Sequence, residues 1–226
     1  FLEADDYWID LLKLQTQVDV LESNPDIVMC FTATKHIFSD DKRKPKYKRF
    51  RKQDAICSPK DVIALGGRLV DMGSAVVRRS IFHKLPDWYH YAQIWDLTVP
   101  LLSLLHGKIQ YLDHVTSVYR YNVSGSWTQK NVKGLDRRAK NMKKSFRVTD
   151  GFDRETNYQY HEFIQKKHNP MIVEILLLSD EQDEDFSDLY DRLPFIPKLE
   201  YQFFKRLGSF KLWEIYRHNK RMVTGF

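Results

Sequence analysis

A chain of 226 residues, 42% hydrophobic and 29% charged, has the balance of a globular protein and can bury a core without disulfide or metal staples. Apolar runs such as Ile175–Leu178 fall far short of the roughly 20 residues a membrane-spanning helix needs, and no basic-then-apolar signal peptide opens the chain. The net charge of +6 is modest and comes without a nucleic-acid recognition motif, so a nucleic-acid partner is not expected.

The opening Phe1-Leu2 runs straight into acids and reads as the end of a core strand already under way. The chain is therefore expected to be a fragment whose upstream sequence supplies the rest of a sheet. Apolar positions Leu11, Leu12, Leu14, Val18 and Leu21 recur at helical spacing, which predicts a helix from Asp10, as N-cap, to Ser23, stopped by Asn24-Pro25. Ile27–Phe31 reads as a central strand. Ser39–Cys57 reads as a charged loop, with Lys42–Lys52 a mobile basic stretch of surface.

Ser58-Pro59-Lys60-Asp61 is a strong helix start, and Gly66-Gly67 ends that helix. Asp71–Arg78 leads into a second β-rich segment, Ser80–Lys84 reads as a short helix, and an aromatic loop covers Pro86–Tyr91. Trp95–His106 is an apolar helix closed by Gly107. Ile109–Leu112 and Val115–Tyr121 read as two short strands. The alternation up to residue 128 is an α/β signature. From Gln129 onward only helices are expected, over Arg137–Arg147, Asn157–Lys167, Met171–Leu178 and Glu200–Arg217. The acidic run 180–191 reads as a solvated linker, and Cys30 and Cys57 as buried or loop thiols of a reducing compartment.

Three carboxylates fall within Glu3-Ala4-Asp5-Asp6, just beyond the strand end. Such acids repel unless a cation or hydrogen bonds neutralise them, and hard carboxylate oxygens suit Mg²⁺ or Mn²⁺. A turn whose Asp caps the next helix is the plainer reading of the same residues. Aromatics Trp8, Trp88 and Tyr89, with Tyr7 and Tyr91, form either a platform for a sugar ring or ordinary core. Asp96 opens a helix, where it either caps the positive end or acts as a base. His90 and His114 have no partner at metal-ligand spacing.

The order of blocks resembles the family 2 glycosyltransferases of the GT-A fold. The blocks are Asp5-Asp6-Tyr7-Trp8, Lys13-Leu14-Gln15 with Gln17-Val18-Asp19, Asn24-Pro25-Asp26, and Met72–Arg79. Leu85–Trp88, Trp95-Asp96-Leu97, Gly107-Lys108-Ile109, Val118–Tyr121 and Ser124–Trp127 continue the series. The resemblance spans roughly residues 1–128. It implies a partial GT-A (Rossmann-like) mixed sheet flanked by helices, the acceptor-side part of that domain, followed by an all-helical C-terminal extension over 129–226.

By the same resemblance the activity is inverting sugar transfer from a nucleotide-diphosphate sugar, a UDP-sugar first among them, to a glycan or lipid-linked acceptor, of the kind that builds bacterial surface polysaccharides. Asp5 and Asp6 would hold Mn²⁺ or Mg²⁺ and the donor, and Asp96 would be the general base. Arg120 would meet phosphate, unless it serves a structural ion pair instead. Two positions depart from the family pattern. Trp95 stands where many members carry an acid, and Asn122, here grouped with the donor contacts, stands where many carry His.

The last stretch, from Tyr201 through Trp213 and Arg217, mixes aromatics and bases. It reads either as a helix lying on an anionic membrane or as one packed on the domain. The expected location is cytoplasmic, with peripheral contact at the inner membrane face under the first reading. The competing functional class is a non-catalytic module that keeps the fold to bind a glycan, membrane or partner.

Overall fold

The structure, a computed structural model, describes residues 2–38, 43–91, 94–121, 123, 135–179 and 185–224. In chain order these are β1 (Tyr7–Trp8), α1 (Lys13–Ser23), β2 (Ile27–Phe38), β3 (Lys46–Lys48), β4 (Ala55–Cys57), α2 (Pro59–Leu65), β5 (Ala75–Val77), α3 (Trp95–His106) and β6 (Lys108–Tyr121). Helices follow: α4 (Leu135–Glu155), α5 (His161–Leu178), α6 (Phe186–Asp191), α7 (Phe195–Arg206) and α8 (Phe210–Thr224). The protein is a mixed α/β structure with a curled mixed sheet, flanking helices and a helical C-terminal region. Among the described residues no helix is long and apolar enough to cross a membrane.

Two long parallel strands, β2 and β6, form the middle of the sheet. On the outer edge of β6 lie the short antiparallel strands β1 and β4, and on the outer edge of β2 lie β3 and β5. β6 merges the two strands expected from sequence. Thr32 pairs with Leu112 and Ala33 with Val115, so Asp113 and His114 bulge out of register without ending the ladder. The bulge is held by Asp54, whose carboxylate accepts the Asp113 N–H at 2.7 Å, and by the Tyr111 hydroxyl, which donates to the Asp113 carboxylate at 2.7 Å. β2 runs past Phe31 to Phe38 because Thr32 and Thr34 are buried there, the Thr32 and Thr116 hydroxyls sharing a hydrogen bond of 2.6 Å.

The helix start at Ser58 is a reciprocal capping box, Ser58 Oγ accepting from the Asp61 N–H while the Asp61 carboxylate accepts from the Ser58 N–H. The helix ends at Gly66, whose φ of 53° is open to glycine, and Lys167 of α5 donates to the freed Ile63 carbonyl at 2.6 Å. α3 spans the expected residues. The basic stretch is not a mobile loop: Lys46–Lys48 is a strand paired with β2, and its bases meet particular acids, Lys48 with Asp71, Arg49 with Asp113 and Arg51 with Asp61.

α1 turns a different face inward from the one its apolar spacing predicts. It begins at Lys13, not Asp10, whose carboxylate instead accepts from the Leu12 N–H at 2.9 Å in the preceding turn. Lys13, Gln17 and Leu21 are buried, whereas Leu11, Leu12, Leu14 and Val18 are exposed. The inward face is a polar network. Lys13 Nζ donates to Gln17 Oε1 at 2.7 Å, and Gln17 Nε2 donates to the carbonyls of Cys30 at 2.8 Å and Ser74 at 3.0 Å. Lys13 Nζ also sits 4.7 Å from the centre of the Trp8 ring.

The main core runs from the sheet through α2 and α3 and takes Val148, Phe152 and Ile164 from α4 and α5. A second core joins α4 to α8 through Ile172, Val173, Leu176, Tyr201, Phe204 and Trp213. Asn157 and Tyr158, at φ 50° and 61°, turn the chain between α4 and α5, so α5 starts at His161 and not at Asn157. It then continues through Pro170, because Ile172, Val173, Ile175 and Leu176 are all buried on it. Gly208, at φ 59°, divides the expected final helix into α7 and α8. Of the acidic run, residues 180–184 lie outside the described residues, Asp185 pairs with Lys143, and Phe186–Asp191 is α6. Cys30 and Cys57 are buried free thiols.

Gln17 satisfies two buried carbonyls and one buried ammonium. Gln17→Ala is expected to destabilise the fold by about 2–4 kcal/mol in urea unfolding, more than Leu14→Ala on the exposed face.

Candidate active site

Because β2 and β6 are parallel, their carboxyl ends lie together, the usual place for a ligand in an α/β sheet. The acidic turn is fastened there. Arg120, near the end of β6, donates its backbone N–H to Asp6 Oδ1 at 3.0 Å and its guanidinium Nε to the Asp5 carbonyl. The Asp6 N–H closes the turn on the Glu3 carbonyl at 3.1 Å. Asp6 is only 9% exposed. Burial pushes its carboxyl up to about 6, against the Arg120 N–H, which favours the charged form; the neighbouring charges of Asp5, Glu3 and Asp71 push the same way as burial. Glu3 is raised too, by partial burial and then by Asp5 and Asp71.

Asp71, just ahead of the turn Met72–Ser74, joins this group. Burial works against its charge, but His36 Nε2 and Lys48 Nζ, each at 2.7 Å from one of its oxygens, overcome this and hold its carboxyl below the usual range. His36 itself packs against the rings of Tyr119 and Tyr121 near the end of β6.

Asp96 sits in the first turn of α3. Burial raises its carboxyl to about 6; Lys48 opposes the rise, and Asp71 and Glu3 add to it. The carboxylate lies against Gly67, where a Cβ would come within 2.9 Å of Asp96 Oδ2. The Gly66-Gly67 pair that ends α2 thus also makes room for Asp96. Asp6 and Asp96, far apart in sequence, both feel the charges of Asp71 and Glu3, so the fold brings them within electrostatic reach of the same two acids, with Lys48 acting on Asp96 as well.

Gly73 lies at ordinary contact distance from Asp6. A Cβ there would lie 3.6 Å from Asp6 Oδ2, and the Gly73 carbonyl accepts the Trp8 indole N–H at 2.9 Å. Trp8 is thereby held between the turn and Lys13. Trp88 is a core residue, 3% exposed and pressed onto α4 so closely that a Cβ at Gly151 would be 2.3 Å from it, and it offers no face to a sugar. Tyr89 is half-buried, edge-on to Phe82 and Trp95. Arg120 serves the acidic turn, its guanidinium through the Asp5 carbonyl and its backbone N–H through the Asp6 carboxylate. His114 pairs with Asp10 at 2.9 Å. Asn122 and Ser124–Trp127 lie outside the described residues.

Asp71, Lys48, His36 and the two glycines are the site neighbours that sequence spacing did not single out. The bases of β3 carried a signal of charge but not of partner.

Comparison with known proteins gives likeness without function. The chain is 27% identical over 137 residues to uncharacterised proteins of Mycobacterium bovis and Mycobacterium tuberculosis, a match covering 55% of this chain and 35% of theirs. It thus matches about a third of the length of these relatives. No family model matches the chain, and no solved structure matches it.

A carboxyl raised by folding has a clear linkage. Its contribution favours the folded state below its unfolded value near 4 and is lost as the pH rises through about 6. Asp96→Asn is therefore expected to stabilise the protein by about 1–2 kcal/mol at neutral pH, after solvent screening, and by nearly nothing at about pH 4. Urea unfolding at the two pH values, without added metal, measures the difference.

Proposed function

We propose that this chain is the acceptor-side part of a metal-dependent, inverting glycosyltransferase of the GT-A type, taking a nucleotide-diphosphate sugar as donor. The observation that carries the reading is that Asp6, tied to the end of β6 through Arg120, and Asp96, at the start of α3, are both raised by burial and by the same neighbouring acids, Asp71 and Glu3. The sequence resemblance assigns complementary roles to those same acids.

The residues suit a hard divalent cation. Asp5 and Asp6 offer only oxygen donors, and the crowded, raised Asp6 carboxyl is in the state that a cation relieves. Asp6 and Asp5 would hold Mn²⁺ or Mg²⁺, and the bound ion supplies positive charge against a departing diphosphate. Arg120 fixes the orientation of Asp6 by taking one of its oxygens. Gly73 lies beside the other oxygen.

Asp96 takes a proton from the attacking acceptor hydroxyl. At about 6 it is still ionised at neutral pH and is a stronger base than an ordinary carboxylate. Lys48, shared electrostatically with Asp71, limits that rise and keeps the base charged. The acceptor is a glycan or a lipid-linked sugar, and Tyr89, which packs edge-on against Trp95 beside Asp96 in the chain, is the half-buried aromatic offered to it.

Titration calorimetry with Mn²⁺ and UDP- and GDP-sugars, followed by a transfer assay on the longest available protein, tests this. Wild type is expected to bind donor only with metal, and Asp6→Ala to lose that binding. Asp96→Asn should keep donor binding and lose transfer by about 10²–10⁴-fold. Wild-type turnover should fall on the acid side as the pH drops through about 6, where Asp96 gains a proton. Absence of donor binding and transfer by the folded wild type would leave the non-catalytic module as the better reading. Metal-independent binding would remove the cation from the site, and near-normal turnover by Asp96→Asn would remove Asp96 as the base.

A further inference from the structure

The last two helices are apolar on both sides. Their inward faces bury Tyr201, Phe204 and Trp213 in the second core, with the Phe204 and Trp213 rings 5.3 Å apart. On the outward side of α7, Phe195, Leu199 and Phe203 follow one another at four-residue spacing and are 74%, 53% and 58% exposed. Ile196 lies beside this stripe, and Leu212 and Ile215 are exposed on α8. Both helices rest on α5, and Gly208 folds one back on the other, so their outward faces lie on the same side of the helical region. Single exposed apolar residues need no explanation, but a run of this size does.

The charge around the stripe says what would cover it. Lys198, Lys205, Arg206, Lys211, Arg217 and Lys220 stand on these helices against Glu200 and Glu214. Glu200 is already engaged by the Tyr216 hydroxyl at 2.8 Å and by Lys220, while Arg217 is drawn inward to Glu174. The ammonium groups of Lys198 and Lys205 sit over the rings of Tyr190 and Tyr201, 4.9 and 5.6 Å from their centres. Arg206 and Lys211 are exposed on α7 and α8. A second copy of the chain meeting this patch about a two-fold axis would set these bases against their own counterparts. An anionic lipid surface offers both an apolar layer and phosphates.

We propose that α7 and α8 form an interfacial surface that docks on anionic phospholipid bilayers. Phe195, Leu199 and Phe203 enter the boundary of the acyl chains, and Arg206 and Lys211 meet the headgroup phosphates. The proposal holds whether or not the acidic site transfers a sugar, because it rests on a different part of the molecule.

Vesicle co-sedimentation of the whole chain decides it, using phosphatidylcholine alone and phosphatidylcholine mixed with phosphatidylglycerol. Binding is expected to the mixed vesicles, to weaken with salt, and to be much poorer with phosphatidylcholine alone. The pair Leu199→Glu and Phe203→Glu should lower binding at least about tenfold, and so should Arg206→Glu with Lys211→Glu. All four side chains are exposed, so circular dichroism and thermal unfolding should stay at wild-type values. Absence of binding to the anionic vesicles, equal binding to both kinds, or binding that survives both pairs of substitutions would overturn the proposal. So would a wild-type dimer that Leu199→Glu with Phe203→Glu turns into monomer while vesicles bind neither form; that result assigns the patch to a second copy.

Discussion

Carboxylates drawn out of water and toward one another resist both moves, and the candidate site exists only because something else fastens them. That fastening is Arg120. Its N–H takes one oxygen of Asp6 and its guanidinium takes the Asp5 carbonyl, so the acidic turn is joined to the end of the longest strand. The cost appears in the raised carboxyls of Asp6, Glu3 and Asp96. Asp71 escapes it, since His36 and Lys48 meet its two oxygens. The group therefore holds one neutralised acid and several that are not, an arrangement that disfavours the folded protein once those carboxyls ionise.

Support for the turn comes from an unusual helix. α1 packs on the sheet through Lys13 and Gln17, and Gln17 reaches both β2, at the Cys30 carbonyl, and the turn before β5, at the Ser74 carbonyl. The residue beside that carbonyl, Gly73, receives the Trp8 indole and faces Asp6. A polar interior of this kind is specific in a way an apolar one is not, because each donor has one acceptor at one distance. Desolvation of Lys13, which lowers its ammonium to about 8, is the strain this specificity carries.

The helical region is not an appendage hung on a finished domain. Val148, Phe152 and Ile164 complete the core beneath the sheet, Gly151 receives Trp88, and Lys167 caps α2. Only beyond these contacts does the second core begin. The acidic site and the outward face of α7 and α8 are thus parts of one connected packing, built on opposite physical grounds: concentrated negative charge in one, exposed apolar surface on basic helices in the other.

The elements whose reasons are local were legible in the chain. The capping box at Ser58, the stop at Gly66 and the whole of α3 follow from neighbours within a few residues. Leu2, read as the end of a core strand, is instead exposed and outside any strand, and the acids lead into β1. Apolar periodicity failed at α1, because what it buries is decided by two carbonyls 13 and 57 residues away from Gln17. It split β6 at Asp113-His114, since a bulge held by Asp54 cannot be told from a strand end without the partner strand. Sequence alone therefore determined which residues stand out as candidates: the paired acids, the acid that opens α3 and the aromatic, basic tail. Tertiary structure decided which of them meet. Charges act over distances that the chain crosses only when folded, so the company of Asp6, Asp71 and Asp96, the burial of Trp88 and the partners of Lys48 belong to the fold.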